Sequence, residues 1–276
     1  MIRKDNYTLP GAKGRAMLID VTYDDALKNA PVVIFAHGFK GFKDWGTHNL
    51  VADYFARNGF RYLKFNFSHN GTTPEHPADF ADLIAFSDNT FSIELEDLDT
   101  IIDFACSGSG MAAADGVFLI GHSMGGGISI IKTAEDSRIK KLITMASISG
   151  FRNLWPKQSE TQWRLQGIIY MHNSRTNQQM PLKSVVLDDL DRHPLRLDIP
   201  AKAAQVTQRW LLMHGDADDT VPLAHAQELH KAQPNAEFFI LPGGDHTFGG
   251  LHPYAGDTLP ASLLEFCDRS ISFLRH

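Results

Sequence analysis

The chain has 276 residues, a formal charge of −6 and a globular balance of 43% hydrophobic to 21% charged residues, with too little positive charge to neutralise a nucleic-acid backbone. Its two cysteines, Cys106 and Cys267, are too few for a disulfide framework or a cysteine-rich metal knuckle. Apolar runs such as 117–120 and 128–131 fall far short of the ~20 residues that span a bilayer, and the start Met1-Ile2-Arg3-Lys4-Asp5 has no apolar leader, so a soluble, cytoplasmic protein is expected.

Residues 16–23 alternate loosely and predict an edge strand. The unbroken run Val32-Val33-Ile34-Phe35-Ala36 predicts a strand buried on both faces. A helix is predicted over 46–58, stopped by Gly59, and a strand over 60–67. Residues 72–89, with Pro74 and Pro77, read as a surface loop. Over 91–105, Leu95, Leu98, Ile102 and Ala105 share one helical face, with Asn89 or Thr90 able to cap it. A strand over 117–121, a helix over 124–134 and a strand over 141–146 follow. Later come a strand at 209–213, a helix at 223–232, a strand at 237–241 and a helix at 261–274. Strands separated by helices of ~10–15 residues make parallel βαβ units with helices on both faces, an α/β fold.

Residues 151–208 break this rhythm. They show no clear buried strand, and Pro156, Pro181, Pro194 and Pro200 punctuate them. They read as a mostly helical insertion between two core strands, leaving 1–150 and 209–276 as the core. Long excursions in compact domains are usually functional. Arg152, Arg164 and Arg175 within it read as solvated surface.

The sharpest motif is Gly121-His122-Ser123-Met124-Gly125, which fits G-x-S-x-G between a predicted strand and a predicted helix. A turn this tight needs glycines around it. It lifts the serine hydroxyl above the sheet at a helix N-terminus, where backbone N–H groups stabilise developing negative charge. A serine hydroxyl is a poor nucleophile without a base in hydrogen-bond reach. Histidine titrates near neutrality and supplies one, and a carboxylate fixes the imidazole tautomer. No H-x-H, H-E-x-x-H or C-x-x-C occurs, and no G-x-G-x-x-G or phosphate-loop lysine follows a strand, so neither metal nor cofactor is expected. Asp216-Ala217-Asp218-Asp219-Thr220 resembles the D-x-D-x-T of haloacid-dehalogenase-type phosphatases in those five residues alone. It falls late in the chain and is not followed by that family's lysine and acidic-pair loop.

Three further segments join the serine motif in a pattern that resembles the α/β-hydrolase superfamily over nearly the whole chain outside 151–208. His37-Gly38-Phe39 is similar to the family's oxyanion loop, which implies the backbone N–H groups of Phe39 and Met124 as donors. His214-Gly215-Asp216-Ala217-Asp218-Asp219-Thr220-Val221-Pro222 is similar to the acid loop and implies Asp218, with Asp216 and Asp219 as rivals. Gly243-Gly244-Asp245-His246 looks like the histidine loop and implies His246, with His252 as rival. The order Ser123, Asp218, His246 is that of the family. His37 and His214 read as structural, and His122 as a supporting neighbour of the serine. Asn66-Phe67-Ser68-His69-Asn70-Gly71 departs from the D-x-R-G-x-G of many relatives, which leaves the pocket lining open.

The resemblance implies an α/β-hydrolase fold with a helical cap. It also implies a small-molecule carboxylic ester as substrate, cleaved through an acyl-enzyme. Neither nucleic acid nor membrane is an expected partner. The guide is the group of capped cinnamoyl and acyl esterases and dienelactone-hydrolase-like proteins, although the latter use cysteine where Ser123 stands here. By that guide Trp155, Trp163, Tyr170 and Met171 are candidates to line the pocket. A thioesterase, a small serine peptidase or aminopeptidase, and a non-catalytic ligand receptor on the same fold are the alternatives.

Overall fold

A computed structural model describes residues 1–27, 29–173 and 176–276. Its first element was not anticipated: β1 (Ile2–Pro10) pairs antiparallel with β2 (Ala16–Asp24), Tyr7 opposite Ile19. The edge strand is therefore β1 and not β2. The charged and polar stretch Arg3-Lys4-Asp5-Asn6 hides its alternation, and such residues blunt an exposed edge against pairing with other chains.

The core then runs β3 (Val32–Ala36), α1 (His48–Arg57), β4 (Arg61–Phe65), the short α2 (Leu83–Ser87), α3 (Phe91–Ser107), β5 (Val117–His122), α4 (Met124–Glu135) and β6 (Ile139–Met145). Residues 151–208 contribute short 3₁₀ turns, α5 (Glu160–Gln166), β7 (Ile168–Asn173), β8 (Gln178–Lys183), α6 (Val185–Arg192) and α7 (Ile199–Ala203). The core resumes with β9 (Arg209–Gly215), α8 (Ala224–Ala232), β10 (Glu237–Leu241) and α9 (Ala261–Arg275).

Eight strands form one sheet in the order β1-β2-β4-β3-β5-β6-β9-β10, antiparallel at the β1 end and parallel from β4 onward. Successive strand residues face opposite sides, so Ile34, Leu119, Leu142 and Leu212 join α3 and α4 on one face. Val33, Ile120, Ile143 and Met213 join α1 and α9 on the other. Thr90 caps α3 by accepting from Ile93 N–H, and the predicted face Leu95, Leu98, Ile102 and Ala105 is buried.

The insertion holds the expected helices and also an antiparallel hairpin, β7 with β8, Met171 opposite Met180. Ile168-Ile169-Tyr170-Met171 has high strand propensity, but Pro181 in its partner masked the pairing. The insertion docks on α3. Phe151 stacks on Phe91 at 3.8 Å, and the Asp189 carboxylate accepts from the Ser92 backbone and hydroxyl at 3.0 and 2.6 Å. Arg152 pairs with Glu160 and Asp191, and Arg164 with Asp188 and Asp191. Arg175 lies outside the described residues.

Candidate active site

Ser123 follows β5 directly, with φ +56° and ψ −119°, a left-handed conformation that strains any residue with a Cβ. Its neighbours pack too closely for side chains. A Cβ on Gly121 would meet Gly125 O at 2.4 Å, and one on Gly125 would meet Ala36 O at 2.3 Å. Met145 O accepts from Ser123 N–H at 3.0 Å and fixes the turn to β6. Met124 opens α4, so its N–H belongs to the first turn, whose donors have no partner within the helix.

The segment after β3 lies against the nucleophile, since a Cβ on Gly38 would stand 3.0 Å from the Ser123 Cβ. Gly41 N–H donates to Gly38 O at 3.0 Å, closing a tight turn around Phe39 and Lys40. His37 is buried, bonded at Nδ1 to Gly38 O at 2.9 Å, and burial lowers its pKa to about 4, so it braces this turn as a neutral ring. The 66–71 segment that departs from the family pattern also supports the turn. Asn66 Oδ1 accepts from Lys43 N–H at 2.7 Å, and Asn70 Nδ2 donates to Gly41 O at 3.2 Å.

The acid and histidine loops meet backbone to backbone. A Cβ on Gly215 would lie 1.9 Å from Gly244 O, and Ala217 N–H donates to that same oxygen at 3.1 Å. The Asp218 carboxylate is fully buried and stands 2.9 Å from His246 Nδ1. Its other oxygen accepts from the Thr220 and Val221 N–H groups at 2.9 and 2.8 Å. Burial would raise this carboxyl, but hydrogen bonding to His214 and His246 and from Val221 N–H outweighs it and holds the pKa well below the carboxylate range. His214 lies 3.4 Å from Asp218 and 2.7 Å from Val221 O, a loop brace. Asp216 instead accepts from Gly243 N–H at 2.6 Å, and Asp219 is exposed. His122 reaches the His246 carbonyl through Nε2 at 2.9 Å, and burial keeps its ring neutral. His252 accepts from Gly46 N–H at 2.9 Å and stacks on Trp45.

Ser123, His246, Phe39 and His122 share the wall of a cavity of about 250 Å³. No hydrogen bond closes between Ser123 and His246 among the described residues, a spacing common before substrate tightens a site.

A model of the alpha/beta hydrolase family matches residues 33–256. The chain belongs to the alpha/beta hydrolase family. No curated protein matches its sequence. Among solved structures, an esterase domain of a Rhodothermus marinus protein aligns over 99% of this chain and 98% of its own, at 17% identity and TM-score 0.67. Est1E from Butyrivibrio proteoclasticus aligns over 98% and 97%, at 16% and 0.69. A putative dienelactone hydrolase from Klebsiella pneumoniae aligns over 100% and 99%, at 15% and 0.63. At these identities the likeness speaks to the fold.

In this alpha/beta hydrolase only Met171, of the four pocket candidates, lines the cavity. Along β7, Met171 and Asn173 point inward while Tyr170 is 62% exposed on the opposite side, a consequence of strand alternation. Trp163 is fully buried, its indole N–H donating to Leu182 O at 2.8 Å, and Trp155 packs edge-on against it at 5.2 Å. These large rings secure the insertion instead of lining the pocket. Residues 72–89 are not wholly surface either, because Phe80 and Phe86 are buried and Phe86 packs on Phe39 at 5.6 Å. Sequence reasoning missed Asn153, Asn173 and His225 on the cavity wall. None lies in a motif, and only three-dimensional packing brings them there. Among the described residues no cluster of His, Cys, Asp or Glu is suited to a metal ion, and no helix is long and apolar enough to cross a membrane.

Proposed function

We propose that the protein is a serine hydrolase that cleaves a carboxylic ester of a small molecule through an acyl-enzyme. The observation that carries this reading is the Asp218–His246 hydrogen bond at 2.9 Å, on the wall of the cavity that Ser123 also lines. Asp218 holds the proton of His246 on Nδ1 and leaves Nε2 as the base. His246 takes the Ser123 proton as Oγ attacks the ester carbonyl, forming the C–O bond of a tetrahedral oxyanion. The N–H groups of Phe39 and Met124 stabilise that oxyanion by about 3–4 kcal/mol each. The oxyanion collapses, the alcohol leaves with the proton held on His246, and the acyl group stays on Ser123. Water then gives a proton to His246 and attacks the acyl carbonyl. Collapse releases the carboxylic acid and returns the proton to Ser123.

His122 acts here as a positioning residue, its bond to the His246 carbonyl fixing the loop. The chemistry asks for neither metal nor cofactor. Both cysteines are free, which suits a reducing, cytoplasmic setting. A fluorophosphonate probe is expected to label Ser123, with labelling lost in Ser123→Ala. Undiminished labelling of that variant would move the nucleophile elsewhere. A panel with one acyl group presented as ester, thioester and amide is expected to show fastest turnover of the ester. Preference for the thioester or amide would overturn the substrate class.

A further inference from the structure

A second histidine faces the same cavity. His225 lies in the first turn of α8, on the flank of β5 where β6 and β9 lie, opposite the Phe39 turn after β3. Beside it Asn153 and Ile148 complete that wall. The segment is tied to the nucleophile, since Ile148 N–H donates to Ser123 O at 3.3 Å.

Behind His225 stands a hydrogen-bonded relay whose middle member, Ser149, is buried. Ser149, 3% exposed, lies 2.5 Å from Glu228 Oε2 and 2.8 Å from His225 Nδ1. An ionised carboxylate only accepts, so the single Ser149 O–H points to Glu228. Ser149 Oγ then accepts from His225 Nδ1–H. Ser149 N–H also points at the same Nδ1 from 3.3 Å and the Asn153 amide stands 3.4 Å from it, but the 2.8 Å contact with Ser149 Oγ is the shorter and stronger and sets the ring proton. Burial lowers the His225 pKa, which favours the neutral ring. In that ring the proton sits on Nδ1, and Nε2 carries a lone pair. Nε2 makes no hydrogen bond among the described residues, while the ring lines the cavity.

We propose that His225, with Asn153 beside it, forms a polar subsite that accepts a hydrogen bond from a hydroxyl carried by the substrate away from its ester carbonyl. This rests on the ester-hydrolase reading above and narrows it to esters with a hydroxyl on the acyl or alcohol part. Glu228 and Ser149 are positioning residues, setting which ring nitrogen holds the proton. The rest of the cavity offers Phe39, Leu154, Met171 and Val221 to an apolar skeleton.

The test uses methyl 3-arylpropanoates whose ring carries a hydroxyl, a methyl or a methoxy group, placed at each ring position in turn. One neutral hydrogen bond changes kcat/KM by about three- to tenfold. The wild type is expected to favour the hydroxyl ester by that factor over its methyl isostere, chiefly through KM. His225→Phe is expected to bring the ratio to parity. Glu228→Gln turns an amide donor toward Ser149, freeing its O–H for Nδ1 and moving the ring proton to Nε2. The methoxy ester, which only accepts, then gains on the methyl ester. A structural role for the relay predicts no such reversal. An unchanged hydroxyl-to-methyl ratio in His225→Phe overturns the subsite. Calorimetry with the Ser123→Ala protein separates the two claims. If the wild type cleaves no ester but this variant binds the hydroxyl ester selectively, the subsite stands and the hydrolase reading fails. If all three esters are cleaved without preference, the reading stands and the subsite fails.

Discussion

The two walls of the cavity are built by different forces. On the core side, backbone meets backbone, Gly215 against Gly244 and Gly125 against Ala36, and Gly38 lies close against the Ser123 Cβ. Positions there are set to within a few tenths of an ångström, because a single added methyl group has nowhere to go. On the insertion side, Phe91, Phe151, Trp155 and Trp163 form an aromatic stack behind the wall, and Leu154, Met171 and Asn173 reach the cavity from it. Ring packing holds the segment firmly but sets its lining less tightly. The reacting groups lie where the backbone has no freedom, and the groups that meet the substrate lie where side chains can be exchanged.

Substitutions on each wall test that contrast. The largest effect is expected for Ser123→Ala, a loss of at least ~10⁴-fold in ester turnover with an unaltered melting temperature. Turnover within tenfold of wild type would remove the core wall from the chemistry. Asp218→Asn is expected to cost about 10³–10⁴-fold in kcat, while Asp219→Asn stays within about twofold. The reverse pattern would assign the acid to the neighbouring residue.

Trp163→Ala belongs to the other wall. It is expected to lower the unfolding free energy by about 3–5 kcal/mol in urea melts while p-nitrophenyl acetate turnover at low temperature persists. A stable variant with altered acyl-chain preference would instead make Trp163 part of the lining. Beneath the docked insertion, burial pushes the Glu94 carboxyl on α3 up to about 8, with Asn89 bonded to one oxygen and the other buried without a partner. The folded state then binds more protons than the unfolded chain, where a glutamate titrates near ~4.3. Stability therefore falls as pH rises from there to about 8 and levels beyond. Glu94→Gln removes that slope and is expected to gain about 5 kcal/mol on the wild type at pH 8.5 and little at pH 4.5. An equal gain at both pH values would refute the buried-acid account. The smallest effect is expected for Met171→Ala, a change of about three- to fivefold in KM for longer acyl chains with kcat retained. Equal KM values across chain lengths would take Met171 out of the acyl path.

The same contrast explains what the sequence made legible. Gly121, Gly125 and Gly215 answer to steric demands that few residue types meet, so the elbow and the acid loop stand out as motifs. Ser123, Asp218 and His246 were singled out by those motifs, and the fold brings them to one end of the sheet. Buried strands such as β3 and β5 were plain because both faces are apolar. Strand β1 was hidden because a solvated edge carries polar residues, and the β7–β8 hairpin because a proline interrupts its pattern. The pocket lining was the least legible part. Tyr170 and Met171 are adjacent in sequence and face opposite ways, which only the strand's orientation decides. Trp155 and Trp163 have the size to fill a pocket, but the insertion uses that area to bury itself. His225 reaches the cavity through the pitch of α8, and nothing in its neighbours announces it.

The strand order carries one further consequence. Residues 151–208 leave the sheet after β6 and return as β9, and those two strands are hydrogen-bonded neighbours, Met145 beside Met213. The detour therefore begins and ends within one ladder and threads no other. Its outer part can be lengthened, trimmed or exchanged for a foreign segment with every rung of the sheet kept, so long as α7 stays to bury Ile199 and Ala203 against the core. What stays behind is a chassis carrying the elbow and the acid and histidine loops. New selectivity can then be grafted at a single pair of splice points, without redesign of the machinery beneath.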